Sequence, residues 1–403
     1  MQTSIAPQYL RTPAGKEADA ILRKCVHCGF CNATCPTYQL LGDELDGPRG
    51  RIYLMKQVFE GEKPGAEITL HLDRCLTCRN CETTCPSGVE YSRLLELGRD
   101  VISMQGERKA SVRLGRAIIA AILRKPALFK ALLHLGQIFR WMMPGAVKQK
   151  IPVTADTPIT EWPKPRHPRK MIALAGCAQG AMAPSTNAAA ANVLDKLGIS
   201  LVEVSGAGCC GAVDLHTTSE DKARAVAKKL IDQWLPHLDE GVEAIVMTAS
   251  GCGVTIKDYP HLFRHDPEYC EKATSIAGVT QDLSEILDNE IGDSYTVSQP
   301  GSRVAFHSPC TLQHGQKLAG TVEGILRRVG YELAPIRDGH MCCCSAGTYS
   351  LFQPEISTQL RDNKLQALDA GKPEVVCTAN IGCQAHLSVQ GQPPVRHWIE
   401  LLL

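Results

Sequence analysis

Residues 25–35 read Cys-Val-His-Cys-Gly-Phe-Cys-Asn-Ala-Thr-Cys, and residues 75–85 read Cys-Leu-Thr-Cys-Arg-Asn-Cys-Glu-Thr-Thr-Cys. A proline follows each run, and the two runs have identical cysteine spacing. Three thiolates at two-residue gaps can hold one face of a four-iron cubane, whose remaining iron needs a cysteine from elsewhere. The duplicated run therefore predicts a helical, ferredoxin-like domain that binds two [4Fe–4S] clusters.

The ligands are predicted to be exchanged between the two runs. In two-cluster ferredoxins the fourth cysteine of each run serves the other cluster. The first cluster is accordingly assigned to Cys25, Cys28, Cys31 and Cys85, and the second to Cys75, Cys78, Cys81 and Cys35. A pair of zinc sites is the alternative, but tetrahedral zinc gives no reason for three closely spaced thiolates in duplicate.

The remaining composition is that of an ordinary globular chain. Its 403 residues suffice for two or three domains, and its formal net charge of +1 gives no reason to expect a nucleic-acid partner. Nineteen cysteines demand an explanation by disulfides, metal or catalysis. The polar N-terminus has no signal-peptide core, and no uncharged apolar run approaches the roughly 20 residues that cross a bilayer. We therefore expect a cytoplasmic protein whose thiolates bind metal.

A second duplication occupies the C-terminal part of the chain. Cys177 and Cys310 each follow an apolar run, and an adjacent cysteine pair begins at Cys209 and again at Cys342, so that both landmarks recur after 133 residues. Fixed-period self-similarity indicates duplication of one structural unit. Within each copy, alternating strand and helix patterns predict parallel α/β units with cysteines where strands end. In the first copy the expected elements are helices over 187–197 and 219–235, the second capped by Ser219, and strands over 171–175, 199–204 and 244–248.

The order Cys, Cys-Cys-Gly, Gly-Cys, present twice, resembles the CCG (cysteine-rich) domain. That family includes heterodisulfide reductase B subunits and iron–sulfur subunits of several flavin-dependent dehydrogenases, and its cysteines can ligate a further iron–sulfur cluster. The candidate ligands that the resemblance implies are Cys177, Cys209, Cys210 and Cys252 in the first copy, and Cys310, Cys342, Cys343 and Cys383 in the second. Two departures are that Cys344 replaces the expected glycine and that the closing cysteine pair is reduced. A zinc site or reduced, buried cysteines are the alternatives, and Cys270 and Cys344 have no assigned role.

Three other features have a functional and an ordinary interpretation. His307 and His314 could be ligands or proton carriers, but such histidines more often orient a loop by hydrogen bonding. Arg74 and Arg79 could raise the potential of the second cluster, although solvated surface charges are favoured. Residues 206–211 match G-x-G-x-x-G, but the two cysteines within the match argue against dinucleotide binding.

The segment 108–155 has ten Lys and Arg and no Asp or Glu. On a helix, Lys109, Arg113, Arg116 and Arg124 share one face, with Leu114, Ile118, Ala121 and Ile122 opposite, and an apolar stripe follows at Leu128, Leu132, Leu135, Phe139 and Met142. One interpretation is an interfacial segment that lies on an anionic membrane and reaches quinone. The other is a docking surface for another subunit or for the chain's own second domain.

These parts predict a multidomain α+β and α/β protein. Its divisions are a ferredoxin-like domain over 1–105, a basic helical segment with a Pro-rich linker over 106–168, and CCG repeats over 169–300 and 301–403. No sequence feature binds flavin or nicotinamide, so a carrier of single electrons needs a flavoprotein partner to oxidise an organic substrate.

The chain resembles the iron–sulfur subunits of glycolate oxidase along essentially its whole length. The resemblance rests on the combination of the two cysteine runs, residues 47–53, the basic segment, and residues 309–314 and 343–349. The resemblance implies FAD-binding partner subunits that oxidise glycolate to glyoxylate, while this chain, without catalytic residues, passes electrons toward quinone or another acceptor. The expected location is the cytoplasm, and the membrane interpretation of the basic segment would add peripheral contact with the cytoplasmic face of the inner membrane. The alternatives are an equivalent subunit for lactate or glycerol-3-phosphate and a heterodisulfide reductase-like subunit.

Overall fold

A computed structural model of the whole chain describes residues 1–105, 108–142, 161–217, 219–292, 294–389 and 391–403. The chain forms two compact units. The first contains residues 1–117 and 340–364, and the second contains residues 118–339 and 365–403. Much of the Pro-rich linker, including Pro152 and Pro158, lies outside the described residues. The domain boundaries expected from the sequence stay predictions.

The N-terminal part of the first unit is helical. Its helices are α1 (Pro7–Leu10), α2 (Pro13–Lys24), α3 (Phe30–Ala33), α4 (Pro36–Leu41), α5 (Pro48–Phe59), α6 (Ala66–Asp73), α7 (Asn80–Thr84) and α8 (Tyr91–Gln105), with a 3-10 turn at Glu44–Asp46. Several of these helices begin with proline, whose missing N–H is not needed at the first helical position. Thr12 also caps α2, because its hydroxyl accepts a 3.0 Å bond from the Gly15 N–H.

The core of this unit lies between three of these helices. It is built from buried side chains of α2, α5 and α8, among them Ile21, Leu22, Met55, Val58, Leu94 and Leu95. Cys25, Cys75 and Cys81 belong to the same apolar cluster. Because close-packed side chains hold their neighbours in place, the thiols at the edge of this core are positioned by the packing of the helices.

The second unit alternates strands and helices. Its strands are β1 (Arg169–Ala173), β2 (Ile199–Glu203), β3 (Ala244–Met247), β4 (Thr280–Asp282), β5 (Arg303–His307), β6 (Glu332–Leu333), β7 (Val375–Thr378) and β8 (Val395–His397). The helices from residue 110 onward are α9 (Ala110–Leu123), α10 (Pro126–Ile138), α11 (Gln179–Met182), α12 (Ser185–Lys196), α13 (Ala212–His216), α14 (Glu220–Asp239), α15 (Ser250–Lys257), α16 (Tyr259–Leu262), α17 (Cys270–Val279), α18 (Leu283–Glu290), α19 (Thr321–Arg328), α20 (Tyr349–Phe352), α21 (Pro354–Asp369) and α22 (Ile381–Leu387). The chain passes between the two units three times, within α9, between Gly339 and His340, and within α21, and α20 belongs to the first unit.

The two copies form two four-stranded sheets with the same strand order. The orders are β2-β1-β3-β4 and β6-β5-β7-β8, and every pairing is parallel. Met171 of β1 lies opposite Leu201 and Ala244. The parallel α/β architecture predicted from the sequence is therefore confirmed, and the equal topology is what duplication of one unit produces.

The two copies share one hydrophobic cluster, and the first copy has a second cluster of its own that includes Ile172, Trp234 and Ile245. Val193 and Leu194 of α12, in the first copy, lie in the same buried cluster as Ile325 and Leu326 of α19, in the second. The C-terminal 3-10 turn Trp398–Leu402 packs against α12, and α18 packs against α19. Each copy thus buries apolar surface on the other, and neither has a separate core on these faces.

The predicted elements of the first copy differ from the observed ones mainly at their ends. Helix α12 begins at Ser185 and strand β1 begins at Arg169, two residues earlier than expected in each case. Ser219 does precede α14, but its side chain makes no capping hydrogen bond. Its backbone, at φ −124° and ψ 66°, is not in the extended conformation that points an N-cap hydroxyl at the first turn.

Candidate metal centres

Four cysteines that the sequence assigned to the first cluster line one pocket of the first unit. Cys25, Cys28 and Cys31 come from the first run, and Cys85 comes from the second. The pocket encloses about 430 Å³, including solvent at its mouth. Its wall is otherwise largely apolar, with Val26, Pro48, Ile52, Pro86 and Val89, and Cys81 also reaches it. Soft sulfur donors in an apolar wall suit an iron–sulfur cluster.

The four cysteines assigned to the second cluster line a second pocket in the same way. Cys75, Cys78 and Cys81 come from the second run, and Cys35 comes from the first. This pocket encloses about 310 Å³. Tyr91 lines both pockets, and its hydroxyl lies 3.5 Å from Sγ of Cys75. The structure therefore brings together both crossed sets, and the ligation itself remains a prediction.

The two loops adopt the same unusual backbone. His27 and Gly29 flank the second cysteine of the first run at φ 58° and 83°, and Thr77 and Arg79 flank that of the second at φ 55° and 60°. Left-handed conformations cost non-glycine residues roughly 1–2 kcal/mol each. The turn also directs the Thr77 N–H at Sγ of Cys75, at 3.5 Å. Since these conformations recur at equivalent positions, they belong to the shape that wraps each loop around its pocket.

The crowded thiols need a positive centre to be held as thiolates together. Burial, together with the neighbouring charges of Cys25 and Cys28, raises the pKa of Cys31 to about 11. Burial also raises the pKa of Cys78, with Cys342 and Cys35 as the nearest repelling charges. Bound iron removes this penalty, because metal ligation deprotonates a thiol outright. The donor set therefore fits two iron–sulfur clusters.

A buried group of charges beside the second pocket was not found from the sequence. Arg51 of α5 lines this pocket, with only 1% of its side chain exposed. Asp46, which is fully buried, bonds to Arg51, to Arg74 and to His71. Arg74, expected to be a solvated surface charge, is instead held 2.7 Å from Asp46. The sequence had singled out Arg74, but Arg51 and Asp46, in and beside the Gly-Pro-Arg-Gly-Arg segment over 47–51, had been given no role.

The cysteines of the first CCG copy converge in the second unit. The thiols of Cys177 and Cys209 are hydrogen-bonded, and so are those of Cys210 and Cys252. The bond to Cys177 and burial together raise the pKa of Cys209. The N–H of Gly211 also points at Sγ of Cys209, at 3.4 Å. The four sulfurs predicted for this copy therefore form two close pairs, Cys177 with Cys209 and Cys210 with Cys252.

The candidate cysteines of the second copy fall in both units. Cys310 and Cys383 belong to the second unit, and Cys342 and Cys343 belong to the first. The N–H of Cys344 lies 3.2 Å from Sγ of Cys342, in the same arrangement that Gly211 has with Cys209. The repeated turn thus survives the replacement of glycine by Cys344, whose φ is 68°.

His307 is buried at the end of β5. Its ring comes within 4.8 Å of Sγ of Cys383. Neither ring nitrogen has a hydrogen-bond partner in the described part of the chain, so the structure gives no support to the loop-orienting role expected for it. His314 is also buried and does interact with its surroundings.

The basic helices place several of their arginines against the protein. Arg108 and Arg116 both bond to Asp73 in the first unit, at 2.7 Å and 2.9 Å. In the second unit Arg124 lies 3.0 Å from Asp214. On α10, by contrast, no residue is buried, and the apolar stripe from Leu128 to Met142 is exposed. The described helices include none with both the length and the apolar character needed to span a bilayer.

Two family models match the chain. The model of the 4Fe-4S dicluster domain matches residues 21–89, and that of the Cysteine-rich domain matches residues 172–257 and 304–388. These matches and the two cysteine-lined pockets define the class: an iron–sulfur protein in which a dicluster domain is joined to a duplicated cysteine-rich domain.

The relatives specify the family. The glycolate oxidase iron–sulfur subunit of Escherichia coli (strain K12) is 50% identical, over 100% of this chain and 98% of its own length. The probable glycolate oxidase iron–sulfur subunit of Bacillus subtilis (strain 168) is 29% identical over 95% of this chain and 93% of its own. Lactate utilization protein A of Geobacillus thermodenitrificans (strain NG80-2) is 29% identical over 48% of this chain and 80% of its own. The chain belongs to the family of glycolate oxidase iron–sulfur subunits.

Proposed function

We propose that this chain is the electron-transfer subunit of a flavin-dependent glycolate oxidase. In this proposal FAD-binding partner subunits oxidise glycolate to glyoxylate, and the chain passes the electrons, one at a time, toward quinone or another acceptor. The observation that carries the proposal is the pair of pockets, each with three cysteines from one run and a fourth from the other. Bound there, iron–sulfur clusters accept and release single electrons without moving atoms.

The chain's own residues have three tasks in this function. Cys25, Cys28, Cys31 and Cys85 hold the first [4Fe–4S] cluster, and Cys75, Cys78, Cys81 and Cys35 hold the second. The apolar walls restrict water, which otherwise screens the charge of the cluster. The Thr77 N–H and the Tyr91 hydroxyl direct positive dipoles at Cys75.

A further cluster in the first CCG copy is the second part of the proposal. The paired thiols of Cys177 with Cys209 and of Cys210 with Cys252 support a site within this copy. Zinc suits four thiolates as well. Iron, sulfide and zinc analysis of anaerobically purified chain distinguishes the two: about four irons per chain beyond the eight of the dicluster domain support the cluster.

The exposed stripe of α10 supports contact with the cytoplasmic face of the inner membrane. Leucines and aromatic residues on one helical face, flanked by Lys125, Lys130 and Arg140, are the pattern of a helix that lies in a lipid interface. A docking surface for a flavoprotein subunit is the alternative. Quinone, as a membrane-dissolved acceptor, is the acceptor that the membrane location favours.

The test of the main proposal is co-purification from native cells, followed by dye-linked assays with glycolate, D-lactate, L-lactate and glycerol-3-phosphate. We expect a flavoprotein to accompany the chain and glycolate to give the highest rate, as the name of the Escherichia coli relative implies. Highest activity with lactate would favour the alternative that the lactate utilization relative suggests. Reduction of a heterodisulfide by the chain alone would favour a disulfide reductase, and absence of a flavoprotein would refute the main proposal.

A further inference from the structure

Arg51 is a cation buried beside the second candidate pocket. It lies on α5, one helical turn after Pro48, and 1% of its side chain is exposed. A guanidinium cannot lose its proton in a protein, so it remains charged when it is buried. Removing it from water costs several kcal/mol unless its N–H groups find acceptors. The acceptors that Arg51 has found show what the charge is directed at.

The guanidinium of Arg51 is held on three sides. Its Nε donates to the backbone oxygen of His71 at 2.7 Å, and its Nη1 donates to the hydroxyl of Thr37 at 3.1 Å. Nη2 lies 3.4 Å from a carboxylate oxygen of Asp46. Nη1 also lies 3.9 Å from Sγ of Cys35, the cysteine that the first run contributes to the second pocket. The positive charge is therefore directed at a proposed ligand of the second cluster.

The neighbouring carboxylate does not cancel this charge. Asp46 is shared between Arg51 and Arg74, whose Nη1 lies 2.7 Å from its other oxygen. Within this group two guanidinium groups and one carboxylate leave one net positive charge, and Arg79 is a further cation among the residues that line the pocket. Because Arg51 and Asp46 are almost fully buried, water and salt screen this charge weakly.

The charged residues that line the first pocket differ from those that line the second. Arg49 lines it, but the Arg49 Nε lies 2.6 Å from Glu44, so that the pair is neutral. The side chains of Arg49 and Glu44 are 36% and 41% exposed, so water screens what remains of their field. Each pocket therefore has four candidate cysteine ligands and a similar loop, but the charges of the residues that line the two pockets differ.

We propose that Arg51 raises the reduction potential of the second cluster above that of the first and so sets the direction in which an electron passes between them. A cluster that accepts an electron becomes more negative by one charge, so a fixed buried cation stabilises its reduced form. One electron then leaves the first cluster and one is gained by the second, with no proton or bond change. Arg51 acts through Cys35 as a tuning residue, and this inference rests on the proposed ligation of both clusters.

The test is an EPR-monitored redox titration of the anaerobically purified full chain, carried out on Arg51→Gln, Arg51→Lys and Arg49→Gln. Cys28→Ser and Cys78→Ser assign the two signals. We expect Arg51→Gln to lower the potential of the second cluster by at least 59 mV, which is a tenfold change in its reduction equilibrium. Arg51→Lys keeps the charge and should recover most of the potential. Arg49→Gln, the matched change at the first pocket, should leave the second cluster unchanged.

A variant that should shift the potential in the opposite direction distinguishes an electrostatic effect from structural damage. Asp46→Asn removes the negative charge from the same group, so it should raise the potential of the second cluster. If Arg51→Gln does not load iron, Arg74→Gln replaces it in the test. The Arg74 side chain is 26% exposed, so this variant should lower the potential of the second cluster by less than the loss of Arg51 would. Unchanged potentials in fully loaded variants, or equal shifts in both clusters, would overturn the inference. Absence of two four-iron signals in the unaltered chain would instead refute the proposed function.

Discussion

Cys85 lines the same pocket as Cys25, although the two residues belong to different cysteine runs. Cys35 is exchanged in the opposite sense and lies with Cys75 in the second pocket. Each run therefore completes the other's site. Since metal ligands must be brought together by folding, neither site is complete until α2 and α6, which precede the runs, have packed in the same unit.

The exchange predicts which cluster a single substitution damages. Cys35→Ser should weaken the cluster bound by Cys75, Cys78 and Cys81, and Cys85→Ser the one bound by the first run. Iron content together with EPR spectra of the reduced chain measures this, and Cys270→Ser, outside both pockets, is the matched control. Loss of the cluster in the substituted residue's own run, with the other intact, would show that the ligation is not crossed.

The four thiols of the first CCG copy predict that a substitution there lowers the metal content of this copy without affecting the dicluster domain. Cys252→Ser removes the hydrogen-bond partner of Cys210, and it should reduce the metal content of this copy while both dicluster signals persist. Metal analysis of the purified variant, compared with Cys270→Ser, gives the result. Equal metal content in Cys252→Ser and the unaltered chain would mean that these thiols are simply buried and reduced.

His397 predicts a loss of stability on mild acidification. Its ring is buried and bonds to the backbone oxygen of Thr248 at 2.8 Å, and burial lowers its pKa to about 4 from the usual 6.5. The unfolded chain therefore binds a proton at this site between pH 6.5 and 4 while the folded chain does not, so stability falls as the pH drops through this window.

Between pH 7.5 and 5.5 this effect amounts to about 1 kcal/mol of unfolding free energy. Urea denaturation at both pH values measures it, and His397→Asn should show a smaller dependence than the unaltered chain. His237→Asn, at a histidine on the surface beside Glu240, is the control and should keep the full dependence. An identical pH dependence of stability in His397→Asn and the control would show that protonation of His397 is not its cause.

The exposed stripe on α10 predicts binding to anionic vesicles. Replacing Leu132 and Leu135 by serine removes about 1.5–3 kcal/mol per side chain of the binding free energy that apolar burial in the lipid would supply. The affinity for the vesicles should therefore fall at least about tenfold. Flotation with phosphatidylglycerol and with phosphatidylcholine vesicles measures it. Leu351→Ser, at an exposed leucine of the other unit, should change nothing. Normal flotation of the double variant together with loss of the flavoprotein would identify a subunit interface instead.

Local pattern was sufficient for the kinds of element and for the cysteines that line the two pockets. Cysteine spacing predicted both thiol sets because a cubane accepts only a short range of ligand geometries. The recurrence of Cys177 at Cys310 predicted duplication, and the equal order of the two parallel sheets agrees with it. Element ends were less accurate, as at Ser219, because capping depends on backbone angles that one residue type does not determine.

The sequence by itself therefore determined the two cysteine runs and the parallel α/β repeat, because spacing and periodicity are local properties, and it indicated the family through a resemblance along the whole chain. Only the tertiary structure decided that one hydrophobic cluster contains residues of both copies and that Arg51 is buried against Cys35 while Arg49 is half-exposed beside Glu44. Arg49 and Arg51 are two positions apart in a polar, glycine-containing segment. Which of the two side chains enters the interior depends on the packing of α5 against its neighbours, and that is a property of the whole unit.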